Sequence, residues 1–446
     1  MSRAHRSAAM KILIVTSTWK PELSGIAEAT FSRVMELGRS SACRIRVLAP
    51  DYSAYASLLP DYRDYLGKLA DNVEVETYPT RVVRSVASVS TEARLALPFW
   101  RYSFRPSFDA FQPDLIHVEE PCRMFGLRLF DGHLKRVGAA YKQRHGIPIT
   151  CMWRTDYFEY AKTVYSAPIA SALTRVLRPA FAWVYNAYDK TFCSSEVAHA
   201  KLGWAGVRNV VVVPAHGIDL DRFKRTSETP NDGLCKLLYV GRVSKEKNVP
   251  QLLTAFSALA ARYPELRLDI VGSGPLLGEV REAHADNPRV VFHGKMSNEQ
   301  LPEFYSRSDI FVNPSQTETF GLSTLEACAC SLPVVVADRG GFLTAEDEQR
   351  LRCLRYAHGD AADLANKIER LILDRKLRAR LASAAREVAA AYDSASVARN
   401  FYQQWLELSG TRATGRLAPS SPARAHAVRA PGLETPSSGE GSHRGA

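Results

Sequence analysis

The sequence has no apolar run near the roughly 18 to 20 residues that cross a bilayer. The ILIV that follows Lys11 is too short for the apolar centre of a secretory leader. Its eight cysteines are scattered, with no C-x-x-C pair, which indicates neither a disulfide framework nor a zinc ribbon. Cys328 and Cys330, the closest pair, have no third or fourth ligand nearby and read as small helix filling. No helix carries a Lys/Arg cluster, so nucleic acid is not an expected partner. A reduced, cytoplasmic protein is expected.

What is present is ordinary globular composition over 446 residues, more than one core normally supports. The formal charge is +11, but five of those charges belong to the first ten residues and to residues 409–446. The remaining basic excess suits an anionic substrate or an anionic membrane surface, and equally a merely soluble protein.

Short apolar runs alternate with segments long enough for crossover helices, which implies parallel sheets. MKILIVTSTW opens the first series and KLLYVGRVSKEKN opens a second, each a strand followed by a glycine-containing turn. The expected organisation is a flexible leader 1–9, a first Rossmann-like domain 10–228, a second 229–392, a helix 393–408 crossing back to the first, and a disordered tail 409–446. Ligands of such sheets bind beyond the carboxyl ends of the strands.

Several strand ends carry candidate chemistry. In YVGRVSKEKN, Gly241 permits a tight turn, and Arg242 and Lys247 together suit a diphosphate, or else form a solvated loop with Glu246 as partner. Gly272 and Gly274 of IVGSGP form a weak G-x-G that reads first as a plain turn. In VVFHGKM, His293 reads as structural, with no carboxylate in the same stretch, while Gly294 and Lys295 sit where backbone could meet a base edge. TETFGLSTLEA places Glu318 and Glu326 around a helix start near Gly321 or Leu322. The helix end favours a phosphate at Phe320–Leu322, so the carboxylates suit hydroxyls instead: Glu326 a ribose diol, Glu318 a sugar. The competing reading is an acid pair offsetting the helix dipole.

These segments resemble the retaining nucleotide-sugar glycosyltransferases of GT-B fold that carry a Glu-seven residues-Glu motif, nearest the branch of glycolipid mannosyltransferases and sulfoquinovosyl-diacylglycerol synthases. VVPAHGIDLDRF also resembles the family's segment before the linker, and the match spans about residues 10 to 408. Departures are the single Gly25 after Ser24 in the first turn, Arg154 and Glu119 where many members have His, and Ala215-His216 before Gly217.

The resemblance implies two Rossmann-like domains facing a cleft and transfer of a hexosyl group from GDP-mannose or a UDP-sugar to a lipid-linked or glycan acceptor. It assigns Arg242, Lys247, Glu318 and Asp156 to catalysis. It assigns Gly25, Gly241, Gly272, Gly294, Lys295, Thr319, Phe320, Gly321, Leu322 and Glu326 to the donor, beside Arg242, Lys247 and Glu318. No cofactor is implied, and no metal, since cationic side chains and a helix end already supply positive charge and no Asp-x-Asp stands at a strand end. On the acceptor side Glu119 and Arg154 are candidates. Arg94, Trp100 and Arg101, within a stretch mixing arginines with aromatics from Arg81 to Arg105, form either a membrane-facing patch or a basic loop with its aromatics in the core. A nucleotide-sugar epimerase or phosphorylase, or a non-catalytic nucleotide-sugar-binding protein, are the alternatives.

Overall fold

Met10–Thr16 forms β1, an apolar strand buried almost throughout, as a central parallel strand must be. A computed structural model describes residues 9–19, 25–51, 69–84, 94–98, 104–121, 137–226, 234–315, 318, 320–339 and 341–410. After β1 come β2 (Cys43–Pro50), β3 (Val73–Tyr78), β4 (Thr80–Arg84), β5 (Arg94–Pro98), β6 (Leu115–Glu119), β7 (Ile149–Met152), β8 (Lys190–Cys193) and β9 (Val210–Val212). The second series is β10 (Cys235–Val240), β11 (Leu266–Val271), β12 (Val290–Gly294), β13 (Ile310–Asn313), β14 (Val334–Ala337) and β15 (Leu354–Tyr356).

The strands assemble in the order β3-β2-β1-β6-β7-β8-β9 and, separately, β12-β11-β10-β13-β14-β15, with β4 and β5 pairing on their own. Every pairing within the two large sheets is parallel, while β4 and β5 are antiparallel with Arg84 opposite Arg94. Both sheets are therefore doubly wound. Their order reverses between β1 and β6 and between β10 and β13, and those switch points are where crevices open at the strand ends.

Each sheet buries two apolar faces. The first packs Ile12, Ile14 and Ile45 on one side and Leu13, Val15 and Val118 on the other. The helix Ser394–Ser409 belongs to the first domain's core although it follows the second in sequence: Val397, Phe401 and Trp405 pack with Ile12 and Val34. Where the chain crosses between domains its two passages pair. Ile218 N–H donates to Tyr392 O (2.8 Å) and Ser394 N–H to Ile218 O (3.1 Å).

The seven described cysteines are buried. Cys328 and Cys330 lie in the second domain's core, and burial pushes the Cys330 thiol up to about 12. Among the described residues no helix is long and apolar enough to cross a membrane. No group of three or more His, Cys, Asp or Glu there could hold a metal ion.

Candidate active site between the domains

The donor-side loops follow from how β10, β11 and β13 end. After Val240 the chain turns at Gly241, where Tyr239 Oη donates to Arg242 O (2.8 Å) and fixes the loop, and a one-turn helix Lys245–Lys247 follows. Beside it Gly272 ends β11. A Cβ on Gly272 would lie 1.8 Å from Gly241 O, so the two turns stack only because that side chain is absent. Gly272 and Gly274 thus let the β11 turn pack closely behind the Arg242 loop.

β13 runs into Pro314, and Gly321 at φ +96° turns the chain into the helix Leu322–Ala329. Only a residue tolerant of the left-handed region starts the helix there without strain, and the first-turn N–H groups are left free of a side-chain cap. Two backbone bonds brace the loop, from Gly341 N to Glu318 O (2.7 Å) and from Phe342 N to Phe320 O (2.9 Å). Thr319 lies outside the described residues.

Lys247 and Glu318, 71 positions apart, meet here. Lys247 Nζ donates to Glu318 Oε2 at 2.6 Å, with both side chains mostly shielded from solvent. Arg242 Nη2 pairs with Glu246 Oε1 at 2.5 Å, yet the Arg242 side chain stays 42% exposed. The helix places Glu326 one turn in, 6% exposed, where Tyr305 Oη donates to its Oε2 (2.7 Å). Burial pushes the Glu326 carboxyl up to about 7 against the pull of Tyr305. Tyr305 belongs to a separate short helix, Leu301–Ser306, and no local sequence signal pairs it with Glu326.

At the end of β12, His293 pairs with Asp269 of β11, so the carboxylate missing from its own stretch comes from the neighbouring strand. Gly294 has φ +72° with open space around it, and Lys295 is exposed.

The facing wall comes from the first domain. Gly25 opens the helix Gly25–Gly38, and a Cβ built on it would stand 3.9 Å from Leu322 Cδ2, an ordinary contact. Glu119 and Arg154, expected at the cleft surface as acceptor contacts, are instead buried. Glu119 is held by Arg33 and by Arg154 Nε (2.7 Å), with side-chain exposures of 0–2% throughout. A carboxylate ending β6 in a dry interior needs such partners, and they consume its acceptor capacity.

His117 extends the cluster. Its Nε2 faces Glu119 Oε1 (3.2 Å) and its Nδ1 faces Thr150 Oγ1 (2.8 Å). A carboxylate only accepts, so Nε2 carries the proton and Nδ1 accepts from the threonine. Burial, then Arg33 and Arg154, holds His117 well below the usual range and neutral. Glu120 is likewise occupied, its Oε2 accepting from the N–H groups of Arg154 (2.9 Å) and Thr155 (2.8 Å).

Arg154 reaches the second domain through His216. Its Nη1 lies 3.3 Å from His216 Nε2, and the His216 ring stacks on Phe320 at 4.7 Å between centroids. An arginine only donates, so Nε2 accepts and Nδ1 bears the proton. Burial pushes Arg154 down to about 10 and keeps His216 neutral. Phe320 stacks in turn on Phe342 (4.9 Å), so the donor loop rests on an aromatic column ending in the first domain's buried charges.

Asp156 also differs from expectation. It caps the helix Tyr157–Val164 by accepting from Glu159 N (3.1 Å) and pairs with Lys201, so its two oxygens hold local structure. That helix packs against the Lys245–Lys247 turn and closes one side of the cleft. Asp219 and Asp221 do form an Asp-x-Asp, but in the passage between domains, where Asp219 Oδ1 accepts from the N–H groups of Asp221 and Arg222 (3.0 Å each) as a turn cap.

Of the arginine–aromatic stretch, Trp100 and Arg101 lie outside the described residues, and Arg94 is described only as the start of β5. Phe104 is core, packed edge-on against Tyr78 at 5.2 Å.

Two parallel sheets with a carboxylate pair around a helix start, facing a lysine and an arginine on the adjoining strand end, define the comparison to make. Residues 221–388 match the family model described as glycosyl transferases group 1. The chain is a glycosyltransferase. It is similar to a GDP-mannose-dependent alpha-mannosyltransferase of Mycobacterium tuberculosis, 27% identical with 74% of this chain and 80% of that protein covered. It is also similar to the sulfoquinovosyl transferase SQD2 of Arabidopsis thaliana, 26% identical over 76% of this chain and 68% of that one. The solved sucrose-phosphate synthase of Thermosynechococcus elongatus superposes with a TM-score of 0.67 at 19% identity, covering 90% of this chain and all of that one. That likeness establishes the GT-B fold of the enzyme. The matches lend nothing to the epimerase, phosphorylase or non-catalytic alternatives.

Proposed function

We propose that the enzyme moves a hexosyl group from a nucleoside diphosphate sugar, with GDP-mannose and UDP-sugars as candidate donors, to a lipid-linked or glycan acceptor. Configuration at the anomeric carbon is retained, no divalent metal is needed, and the enzyme works at the surface of an anionic membrane. The observation that carries this reading is the Lys247–Glu318 ion pair beside the uncapped helix start at Leu322.

Within the cleft each member of that pair neutralises the other. A bound diphosphate offers Lys247 a stronger anion, and the first-turn N–H groups and Arg242 add to the same field. Lys247 then turns to the phosphate and Glu318 is released to accept hydrogen bonds from sugar hydroxyls. Glu326 in its ionised form accepts both hydroxyls of the ribose, held at the correct depth by Tyr305. During transfer the bond from the anomeric carbon to the phosphate oxygen breaks as the bond to the acceptor oxygen forms. The nucleoside diphosphate leaves carrying the new charge, and the proton of the acceptor hydroxyl passes to an oxygen of that departing diphosphate. Arg242 and Lys247 stabilise that growing charge, normally the largest electrostatic term in such a step. The donor named for one similar protein, GDP-mannose, agrees with this chemistry.

Thermal-shift measurements against UDP-, GDP- and ADP-sugars test the donor assignment, because a ligand bound only by the native state raises the melting temperature by mass action. A selective rise with a GDP- or UDP-sugar is expected. The absence of a rise with every nucleotide sugar would overturn the proposal.

A further inference from the structure

Seven of the nine large hydrophobic side chains exposed among the described residues lie between Tyr165 and Trp204. The helix Ala167–Tyr185 explains most of them. Its inner face buries Ala170, Phe181, Val184 and Tyr185. Ile169, Ala172, Val176, Ala180 and Trp183 follow one another at steps of three or four residues, so they share the opposite face, and all five are exposed. Val176 is 71% exposed and Ile169 56%, so a helix whose solvent side should be polar presents aliphatic and aromatic groups to water.

The next helix, Glu196–Ala205, enlarges the face. Trp204 is 50% exposed and lies under Arg178, whose guanidinium carbon is 4.7 Å from the ring centroid. Charge is one-sided as well: residues 160–188 contain Lys162, Arg175 and Arg178 and no Asp or Glu. Along the chain the nearest acids are Glu159, paired with Lys162 (2.8 Å), Asp189, paired with Lys142, and Glu196 at the start of the second helix, while Glu120 meets the buried side of the first helix at Tyr185 Oη (3.1 Å).

We infer that this face, from Tyr165 to Trp204, docks the enzyme on an anionic lipid bilayer. Aliphatic side chains ringed by tryptophans and cations, with no acid on the helix, fit a lipid interface, where the apolar groups enter the acyl boundary and the arginines meet anionic headgroups. A second protein surface would have to bury two unpaired arginines. The location also suits the chemistry: the helix Tyr157–Val164, leading directly into this face, packs on the Lys245–Lys247 turn at the cleft. An acceptor carried in the bilayer would thus reach the cleft from the docked side. The face involves none of the residues Arg81 to Arg105, and the inference rests on the membrane-surface reading under Proposed function.

Flotation of the full chain with phosphatidylcholine vesicles, with and without phosphatidylglycerol, tests it. The wild type is expected to float with the mixed vesicles and to stay behind with the neutral ones. Arg175→Gln and Arg178→Gln should each lower partitioning by roughly fivefold, and Val176→Asp with Trp183→Ser should abolish it. These variants should still transfer to a detergent-dispersed acceptor. Unchanged flotation of the variants would overturn the assigned face. A wild type that never floats yet transfers in detergent would overturn docking while leaving the proposed transfer intact. A dimer dispersed by Val176→Asp would overturn it in favour of a second copy.

Discussion

Glu326 is a buried carboxyl whose job requires charge. Its ordinary value of 4.5 is raised to about 7 by burial, so the native state resists ionisation while the unfolded chain does not. The cost to stability begins above about 4.5, grows with pH and is complete above about 7, reaching on the order of 3 kcal/mol. Glu326→Gln should therefore raise the melting temperature more at pH 8 than at pH 5, while nucleotide affinity, read by calorimetry, falls about tenfold or more. In the wild type, affinity should rise between pH 6 and pH 8 as the carboxylate forms. Burial works against charge at Arg154 as well, lowering it to about 10, and its guanidinium depends on Glu119 as a buried partner. Glu119→Gln leaves Arg33 and Arg154 buried without their anion and should cost about 3–5 kcal/mol in urea unfolding.

At the scale of elements, the strand order and the turns after β10 and β13 decide which residues meet. Gly272→Ala would drive a Cβ into Gly241 O and displace the Arg242 loop. We expect a loss of donor affinity together with a fall of about 2–4 kcal/mol in stability, within the range of severe backbone clashes. The alternating apolar runs made both sheets legible in the sequence, because a parallel strand buried on both faces writes itself as a continuous apolar stretch. Glu318, Lys247 and Gly321 were legible for a similar reason, each standing at a strand end or helix start with a local signature. Glu119 and Arg154 were not. A charge at a strand end looks identical whether it faces solvent or a partner from another element, and Arg33 lies 86 positions before Glu119. Tyr305 and His216 escaped likewise, their roles arising from tertiary contacts with Glu326 and Phe320. The cap that Asp156 makes to Glu159 N is consistent with its place three residues before that glutamate.

Over the whole molecule, the two sheets are joined by two chain passages that bond to each other at Ile218, and the helix Ser394–Ser409 locks the second passage into the first domain. The column from Glu119 through Arg154, His216 and Phe320 adds a polar and aromatic strut between the domains. His216→Ala should leave the first domain folded but loosen the donor loop, raising KM for the donor more than it lowers kcat. Hydrogen exchange at 320–325 should rise in that variant, and an unchanged profile would remove the strut from the account. The central claim is that Glu318, freed from Lys247 by the donor, holds the sugar for transfer. Turnover of Glu318→Gln at saturating donor tests it most directly: a fall of about a hundredfold or more is predicted, of the size seen when one transition-state contact is lost, and turnover at the wild-type rate would contradict it.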